Sequence, residues 1–203
     1  MPDPAPRSLI LGCGALAREL LEIVKRNGWT HVDVDCLPAS LHNYPDRIPP
    51  AVDARLAEVA GDYDRILIGY ADCGTVGALD DVALRYGAEM LPGAHCYEFY
   101  ATGDVFAELH DDEPGTFYLT DYLVRHFDRI VMHGLGLDRH PELRNAYFGN
   151  YRRLMYLAQT KDESLVAKAK AAAEKLDLVL DIRHVGMGEL EPAVVELAMP
   201  RRR

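Results

Sequence analysis

The sequence predicts an α/β protein: a central, mainly parallel sheet with helices on both faces (Rossmann-like) and an inserted helical region. Three observations carry the prediction. From Ser8 to Pro92, apolar runs of strand length alternate with amphipathic stretches of helix length, the pattern of parallel strands joined by crossover helices. Two of those runs, Leu9-Ile10-Leu11-Gly12-Cys13-Gly14 and Ile66-Leu67-Ile68-Gly69-Tyr70-Ala71-Asp72-Cys73-Gly74, end in Cys-Gly before a helix-like pattern. From about residue 96 to 150 the alternation gives way to helix-rich, aromatic sequence, after which strand and helix patterns resume. The 203 residues suit one domain, 1–203, with that stretch inserted, and are long enough to bury a sizeable core.

Each element has its own signal. Ser8 to Gly12 reads as a buried strand. Ala15 to Asn27 reads as a helix with Leu16, Leu20, Ile23 and Val24 on one face, stopped by Gly28. Val32 to Asp35 alternates and ends as a strand at Cys36-Leu37-Pro38; Ser40 to Pro45 is loop. Pro49-Pro50 opens a helix to about Ala60, because proline's missing N–H has no intrahelical partner in a first turn. Asp64 to Tyr70 is a strand, Gly74 to Tyr86 a helix closed by Gly87, and Glu89 to Pro92 a short strand. In the insert, Cys96 to Leu109 reads as a helix broken near Gly103. Thr116 to His126 reads as a helix capped by Thr116, continued by Asp128 to His133, and Pro141 to Phe148 as a short helix. Arg153 to Gln159 is a strand and Ser164 to Leu176 a helix rich in alanine and lysine, with Asp162 and Glu163 at its positive end. Leu178 to Arg183 is the last strand, followed by a Gly186-Met187-Gly188 turn and a short final helix or extended end.

Composition narrows the function classes. Hydrophobic residues at 49% and charged residues at 27% are those of a globular protein. A net charge of −10 excludes a broad basic field, so no nucleic-acid partner is expected. Arg201-Arg202-Arg203 is a solvated tail. Met1 to Arg7 is proline-rich and lacks a signal-peptide core, and no apolar run approaches the roughly 20 residues that span a bilayer. A cytoplasmic protein without a membrane partner is expected. Four widely spaced cysteines in a reducing compartment are free thiols, metal ligands or catalytic groups rather than a disulfide framework.

The thiols are the leading candidates for chemistry. Thiolates are good ligands for zinc and for iron–sulfur clusters. No Cys-x-x-Cys pair exists, so ligands must converge from distant points. Parallel strands allow that: Cys13, Cys73 and Cys96 each follow an apolar run and would share the carboxyl rim of one sheet. The helix after Cys13 would point its positive end at that sulfur and lower its pKa. The glycines around it would let the chain turn sharply and leave the sulfur open. Cys36 reads as a small buried hydrophobe. His95, beside Cys96, and His42, in the loop after the second strand, lie on the same rim; either completes a Cys₃His set or serves as an acid/base. Glu98 is a candidate general base.

A competing motif overlaps the first cysteine. Gly12-Cys13-Gly14-Ala15-Leu16-Ala17 fits Gly-x-Gly-x-x-Ala between a strand and a helix, and Asp33 and Asp35 follow at about the 20-residue distance of a ribose ligand. Gly12, Gly14 and Asp35 would then bind an adenosine-bearing cofactor, NAD or S-adenosylmethionine. Other signals are blander. Tyr97, Phe99, Tyr100, Phe106, Phe117, Tyr118 and Tyr122 read as core or as the wall of a pocket. His126, His133 and His140 fall in the insert, and Asp138-Arg139-His140 with Glu142 either lines a pocket or caps the Pro141 helix.

Six segments together resemble one family: Cys-Gly-Ala-Leu-Ala-Arg-Glu (13–19), Leu-Pro-Ala-Ser-Leu-His-Asn (37–43), Asp-Cys-Gly (72–74), His-Cys-Tyr-Glu-Phe (95–99), Gly-Thr-Phe-Tyr-Leu-Thr-Asp (115–121) and Gly-Leu-Asp-Arg-His-Pro-Glu-Leu (136–143). As a set they resemble the bacterial and archaeal family called domain of unknown function (DUF) 1638, over nearly the whole chain. The resemblance implies a one-carbon setting, since members are often associated with corrinoid-dependent methyl-transfer systems for methylated amines and similar compounds. It brings no catalytic residues with it.

Residues and resemblance combine into one expectation. Zinc on Cys13, Cys73, Cys96 and His95 would activate a substrate thiol for attack on a methyl donor. The chain is then a zinc-thiolate enzyme, a metal-dependent methyltransferase, or an accessory factor in corrinoid-linked methyl transfer. Its partners would be a small-molecule substrate and a corrinoid protein, with His42 and Glu98 as acid/base groups. An iron–sulfur cluster is the alternative to zinc. An adenosine-cofactor enzyme and a non-catalytic metal- or corrinoid-handling module are the alternatives to the function.

Overall fold

The computed structural model of the chain describes residues 6–198; the Arg201–Arg203 tail lies outside them. The fold is α/β with parallel sheets flanked by helices, Rossmann-like in kind. Where the sequence suggests one central sheet, there are two, of four and three strands. Two compact units hold one each: among the described residues, 6–96 with 189–198, and 97–188.

The first unit follows the alternation read from the sequence. Strand β1 (Ser8–Cys13) is buried along its whole length, as an apolar run between two neighbours must be. Helix α1 (Ala17–Arg26) sets Leu20 and Ile23 into the core, with Leu16 just before it, and ends at Gly28 in the left-handed region. Strand β2 (Val32–Leu37) pairs with one side of β1, and β3 (Arg65–Gly69) with the other. Helix α2 (Ile48–Val59) does begin with prolines in its first turn, and α3 (Ala78–Tyr86) ends on Gly87 at φ 59°. Short strand β4 (Glu89–Met90) extends the sheet beyond β3. Each fully buried leucine or isoleucine here contributes roughly 1.5–3 kcal/mol. The chain's last helix (Leu190–Ala198) returns to this unit, burying Leu190 and Val194 and pairing Glu191 with Arg26. The strand order β2-β1-β3-β4 reverses direction between β1 and β3. In open α/β sheets that reversal leaves a crevice outside the carboxyl ends of the two strands, where ligands bind.

The second unit opens with α4 (Glu98–Ala101) and α5 (Gly103–Asp112), the broken helix expected near Gly103. The helix expected over Thr116–His126 is not there. Thr116–Thr120 is strand β5, and only Asp121–Arg125 is helical (α6), with Thr120 as its cap. The pattern of Leu119, Tyr122, Leu123 and His126 suits a helix, but Thr-Phe-Tyr-Leu-Thr is β-branched and aromatic. Pairing along the next strand decides in favour of its β character. The stretch 96–150 is therefore the start of a sheet-bearing unit and not a purely helical insertion. Asp128–His133 continues as a π-helical segment, and α7 (Arg144–Phe148) follows a 3-10 turn at Pro141–Leu143. Strand β6 (Arg153–Ala158), helix α8 (Glu163–Leu176) and strand β7 (Val179–His184) complete the unit in the sheet order β5-β6-β7. The aromatics are core: Tyr97, Phe106 and Tyr118 stack on one face of the sheet, with centroids 5.0–5.5 Å apart. No helix among the described residues is long and apolar enough to cross a membrane.

Candidate functional site

The site lies in the first unit, at the reversal between β1 and β3. Past the last residue of β4 the contact between the two segments continues: Leu91 N–H donates to Ile68 O, and beyond Gly69 Asp72 N–H donates to Gly93 O and Cys73 N–H to Ala94 O. These bonds hold the segment after β3 against the segment after β4. They bring two residues 23 apart in sequence together, with Cys73 Sγ 2.9 Å from Cys96 Sγ.

Cys73 is held there at a cost. Its φ is +51° and that of Val76 is +54°, a left-handed conformation that side chains with a Cβ disfavour by roughly 1–2 kcal/mol each. The Asp72 carboxylate fixes the loop by accepting N–H bonds from Val76 (2.9 Å) and Gly77 (3.3 Å) and a hydroxyl bond from Thr75 (3.4 Å). Such strain in a non-glycine residue persists only where its surroundings over-determine it, as the Asp72 clamp does here. The two thiols are electrically unlike. Cys73 is pulled below the ordinary thiol pKa, first by the hydrogen bond with Cys96 and then by backbone N–H groups, against the effect of burial. Cys96 is pushed well above it by the same pairing and by burial. Of the two, Cys73 is the thiol that ionises first and Cys96 the one that holds its proton.

Cys13 and Tyr70 adjoin this pair. Cys13 ends β1, is 4% exposed, and accepts a 3.5 Å bond from Ala15 N–H. That N–H does favour the thiolate, but burial outweighs it and pushes the thiol to about 11, with Cys73 and Cys36 adding to the rise. The expected depression by the α1 N-terminus is thus overturned, and the sulfur is enclosed rather than left open. Tyr70 is 1% exposed, and its hydroxyl has no hydrogen-bond partner of ordinary geometry among the described residues. It sits in the field of Cys13, Cys96 and Cys73, and its pKa is raised by burial and then by those thiols.

A family model described as a protein of unknown function, DUF1638, matches residues 36–194. The chain belongs to the DUF1638 family. The match takes in Cys36, Cys73 and Cys96, while Cys13 precedes it. No curated protein matches the chain.

The remaining candidates of this DUF1638 chain fall into three groups. His42, in a 3-10 turn at Ala39–Asn43 after β2, is open to solvent on one side. It is crowded enough on the other for burial, then His95, to lower its pKa, which favours the neutral imidazole. His95 is half-buried beside Cys96. Glu98 begins α4, in the second unit. His133 and His140 form surface pairs with Asp138 (2.5 Å) and Glu142 (3.1 Å).

The nucleotide motif has a different explanation in the structure. A Cβ on Gly14 would lie 2.9 Å from Leu37 O and 3.1 Å from Ala39 N, so the segment after β2 fills the space beside this glycine. Asp35, the candidate ribose ligand, binds Arg55 Nε at 2.6 Å and accepts its neighbour's N–H from Cys36 at 2.8 Å. Cys36 is half-buried and packs against Gly12, with its thiol raised by burial.

Among the described residues no three His, Cys, Asp or Glu side chains already stand in metal-binding array. Sequence reasoning named the thiols but missed Tyr70 and Asp72. The signal was present, since both lie inside the quoted run 66–74, where an aromatic hydroxyl in an apolar strand end and an Asx turn should have drawn notice.

Proposed function

We propose that this DUF1638 chain is a thiolate metal protein centred on Cys73 and Cys96, with zinc as the metal, serving corrinoid-linked methyl transfer as enzyme or accessory factor. The observation that carries the proposal is the 2.9 Å approach of two sulfurs from separate loops, at the crevice where this sheet order binds ligands. The residues suit such a group. Two thiolates sharing a tetrahedral zinc at 2.3 Å stand about 3.8 Å apart, so the pair need only open slightly. Cys13, His95 and His42 are the candidates for further ligands, and a neutral imidazole at His42 is the form that binds metal. The enclosed Tyr70 hydroxyl offers a donor to a bound anion or thiolate. Thiolate-bound zinc lowers the pKa of a substrate thiol and so prepares it to accept a methyl group. The corrinoid setting rests on the family resemblance alone. The adenosine-cofactor reading is less favoured, because the space beside Gly14 and the Asp35 carboxylate are already occupied.

The sulfur separation also favours a second reading. At 2.9 Å the pair is closer than two zinc ligands and farther than the roughly 2.05 Å of a disulfide. The Cys73 thiolate attacks an external disulfide and releases one thiolate; Cys96 then displaces the other. Starting from one thiolate and one thiol, the protein thereby loses two electrons and one proton, the external disulfide leaves as one thiolate and one thiol, and the Cys73–Cys96 bond forms.

Elemental analysis of protein purified under reducing, oxygen-free conditions tests the proposal. About one metal per chain, lost in both Cys73→Ser and Cys96→Ser, supports it; metal-free protein that forms a reversible Cys73–Cys96 disulfide shifts the assignment to the second reading. Metal-free protein that binds an adenine nucleotide overturns both. Methyl transfer from a methylated corrinoid to a thiol then separates enzyme from accessory factor.

A further inference from the structure

We infer that this chain forms a two-fold symmetric dimer in which β7 of one copy pairs antiparallel with β7 of a second copy, centred on Ile182. The inference is independent of the thiol site. Strand β7 is an edge of the second unit's sheet and has no strand partner on its outer side among the described residues. Val179 is 69% exposed and Ile182 38%, and every residue of the strand but Leu180 is exposed. Natural sheets protect such an edge with proline, with charged side chains, lysine above all, or with a bulge. Val-Leu-Asp-Ile-Arg-His has neither proline nor lysine, its two charges, Asp181 and Arg183, are opposite in sign, and its register with β6 runs without interruption from Val179 to His184.

The hydrogen bonds to β6 fix which groups face outward. Val179 N–H donates to Arg152 O at 3.0 Å, and Val185 N–H to Ala158 O at 2.9 Å. With the parallel register of β6 and β7, the odd-numbered residues turn their N–H and C=O towards β6, whereas Leu180, Ile182 and His184 turn theirs to the open edge. A two-fold axis at Ile182 sets Ile182 against its own copy and Leu180 against His184 of the second copy. All three positions are outward-facing, so every free backbone donor meets an acceptor.

The same axis places Asp181 opposite Arg183 of the second copy, and Arg183 opposite Asp181. These fall at the non-hydrogen-bonded positions, where side chains of antiparallel strands come closest. Within one copy Asp181 already lies 3.7 Å from the Arg153 guanidinium; Arg183 of the second copy adds a further cation beside it, so backbone phase and side-chain charge select the same register. The contact is isologous and closes on itself, which ends growth at two copies.

Sedimentation equilibrium on the full chain tests the inference, with a mass twice that of one chain expected. Ile182→Pro removes an outward N–H without touching the β6 ladder and is expected to give monomers with an unchanged circular dichroism spectrum. Asp181→Arg and Arg183→Asp are each expected to weaken association at least tenfold, and the double exchange D181R/R183D to restore it. The charge series keeps the test decisive if the proline variant misfolds. A monomeric parent at the highest accessible concentration, or a double exchange that stays as weak as the single ones, overturns the inference.

Discussion

Two carboxyl rims, one in each unit, place polar residues just past parallel strands and use them in opposite ways. Past β5 and β6, Asp121 is 1% exposed and fully engaged. One carboxylate oxygen accepts Tyr156 OH (2.7 Å) and Gln159 N–H (3.0 Å). The other accepts Thr160 OH (2.5 Å) and lies 3.5 Å from the Arg125 guanidinium. Its own N–H is donated to Gln159 Oε1 at 2.7 Å. Past β1 and β3 the corresponding positions hold a strained Cys73, two unlike thiols 2.9 Å apart and a buried Tyr70 hydroxyl that has, among the described residues, only the Cys13 thiol beside it and no partner of ordinary hydrogen-bond geometry. A closed network rigidifies, whereas unsatisfied groups and backbone strain lower stability and persist where a ligand or reaction uses them. The contrast sets a closed, structural rim in the second unit against a strained rim in the first, and the proposed function rests on the latter.

The largest test breaks the closed rim. Asp121→Ala leaves the buried Tyr156 hydroxyl, the Thr160 hydroxyl and the Gln159 N–H without their acceptor. It is expected to lower stability by about 3–5 kcal/mol in denaturant titration, the range for uncoupling a buried charged network. Thiol reactivity in the first unit should not change. An Asp121→Ala protein of parental stability would remove the structural half of the comparison.

Thiol reactivity sharpens the other half. With Cys73 below the ordinary range and Cys13 at about 11, alkylation near pH 7 should label Cys73 first, more than about 100-fold faster than Cys13. Peptide mass mapping against time reads this directly; equal labelling of the two would contradict the assignment. Cys13 should become reactive only as the pH approaches 11. Its folded pKa lies above the unfolded one, so its contribution to stability is complete below the unfolded value and is lost as pH rises through about 11.

The strain at Cys73 is worth less but separates function from folding. Cys73→Gly suits a φ of +51° and is expected to stabilise the chain by about 1 kcal/mol, while Cys73→Ala keeps the strain and gains nothing. Both abolish the fast alkylation. If glycine proves no better than alanine in thermal unfolding, the loop is not strained in solution and the case for a purpose-built Cys73 weakens.

Much of this was legible in the sequence, for physical reasons that differ by residue. The first unit's strands were plain because a strand buried on both faces, such as Leu9-Ile10-Leu11, has only one pattern available. Thr116–Thr120 was not, because five residues of mixed polarity fit a strand or a helical turn, and only the neighbour β6 distinguishes them. The thiols were nameable from their place after apolar runs, but the Cys-Gly pairs looked equivalent and are not. Cys13 lies within its strand, whereas Cys73 lies beyond Gly69 in a left-handed loop. Their unlike pKa values follow from burial and from a contact made across 23 residues, neither of which a local motif encodes. The glycines beside Cys13 had a sequence reading as a phosphate loop. Their packing against Leu20, Leu37 and Ala39 emerges only in three dimensions.

Tyr70 gives the smallest expected effect and the finest discrimination. An unpaired buried hydroxyl costs roughly 1–3 kcal/mol, most of which the folded chain recovers when the oxygen is removed. Tyr70→Phe should therefore stabilise the empty protein by about 1 kcal/mol in thermal or denaturant unfolding. If the hydroxyl serves what the thiols hold, the same substitution should weaken zinc or thiol-ligand affinity severalfold, so stability and binding move in opposite directions. A purely structural tyrosine would lose stability, or leave binding untouched, when its hydroxyl is deleted. Either result would return this rim to the same category as the one around Asp121.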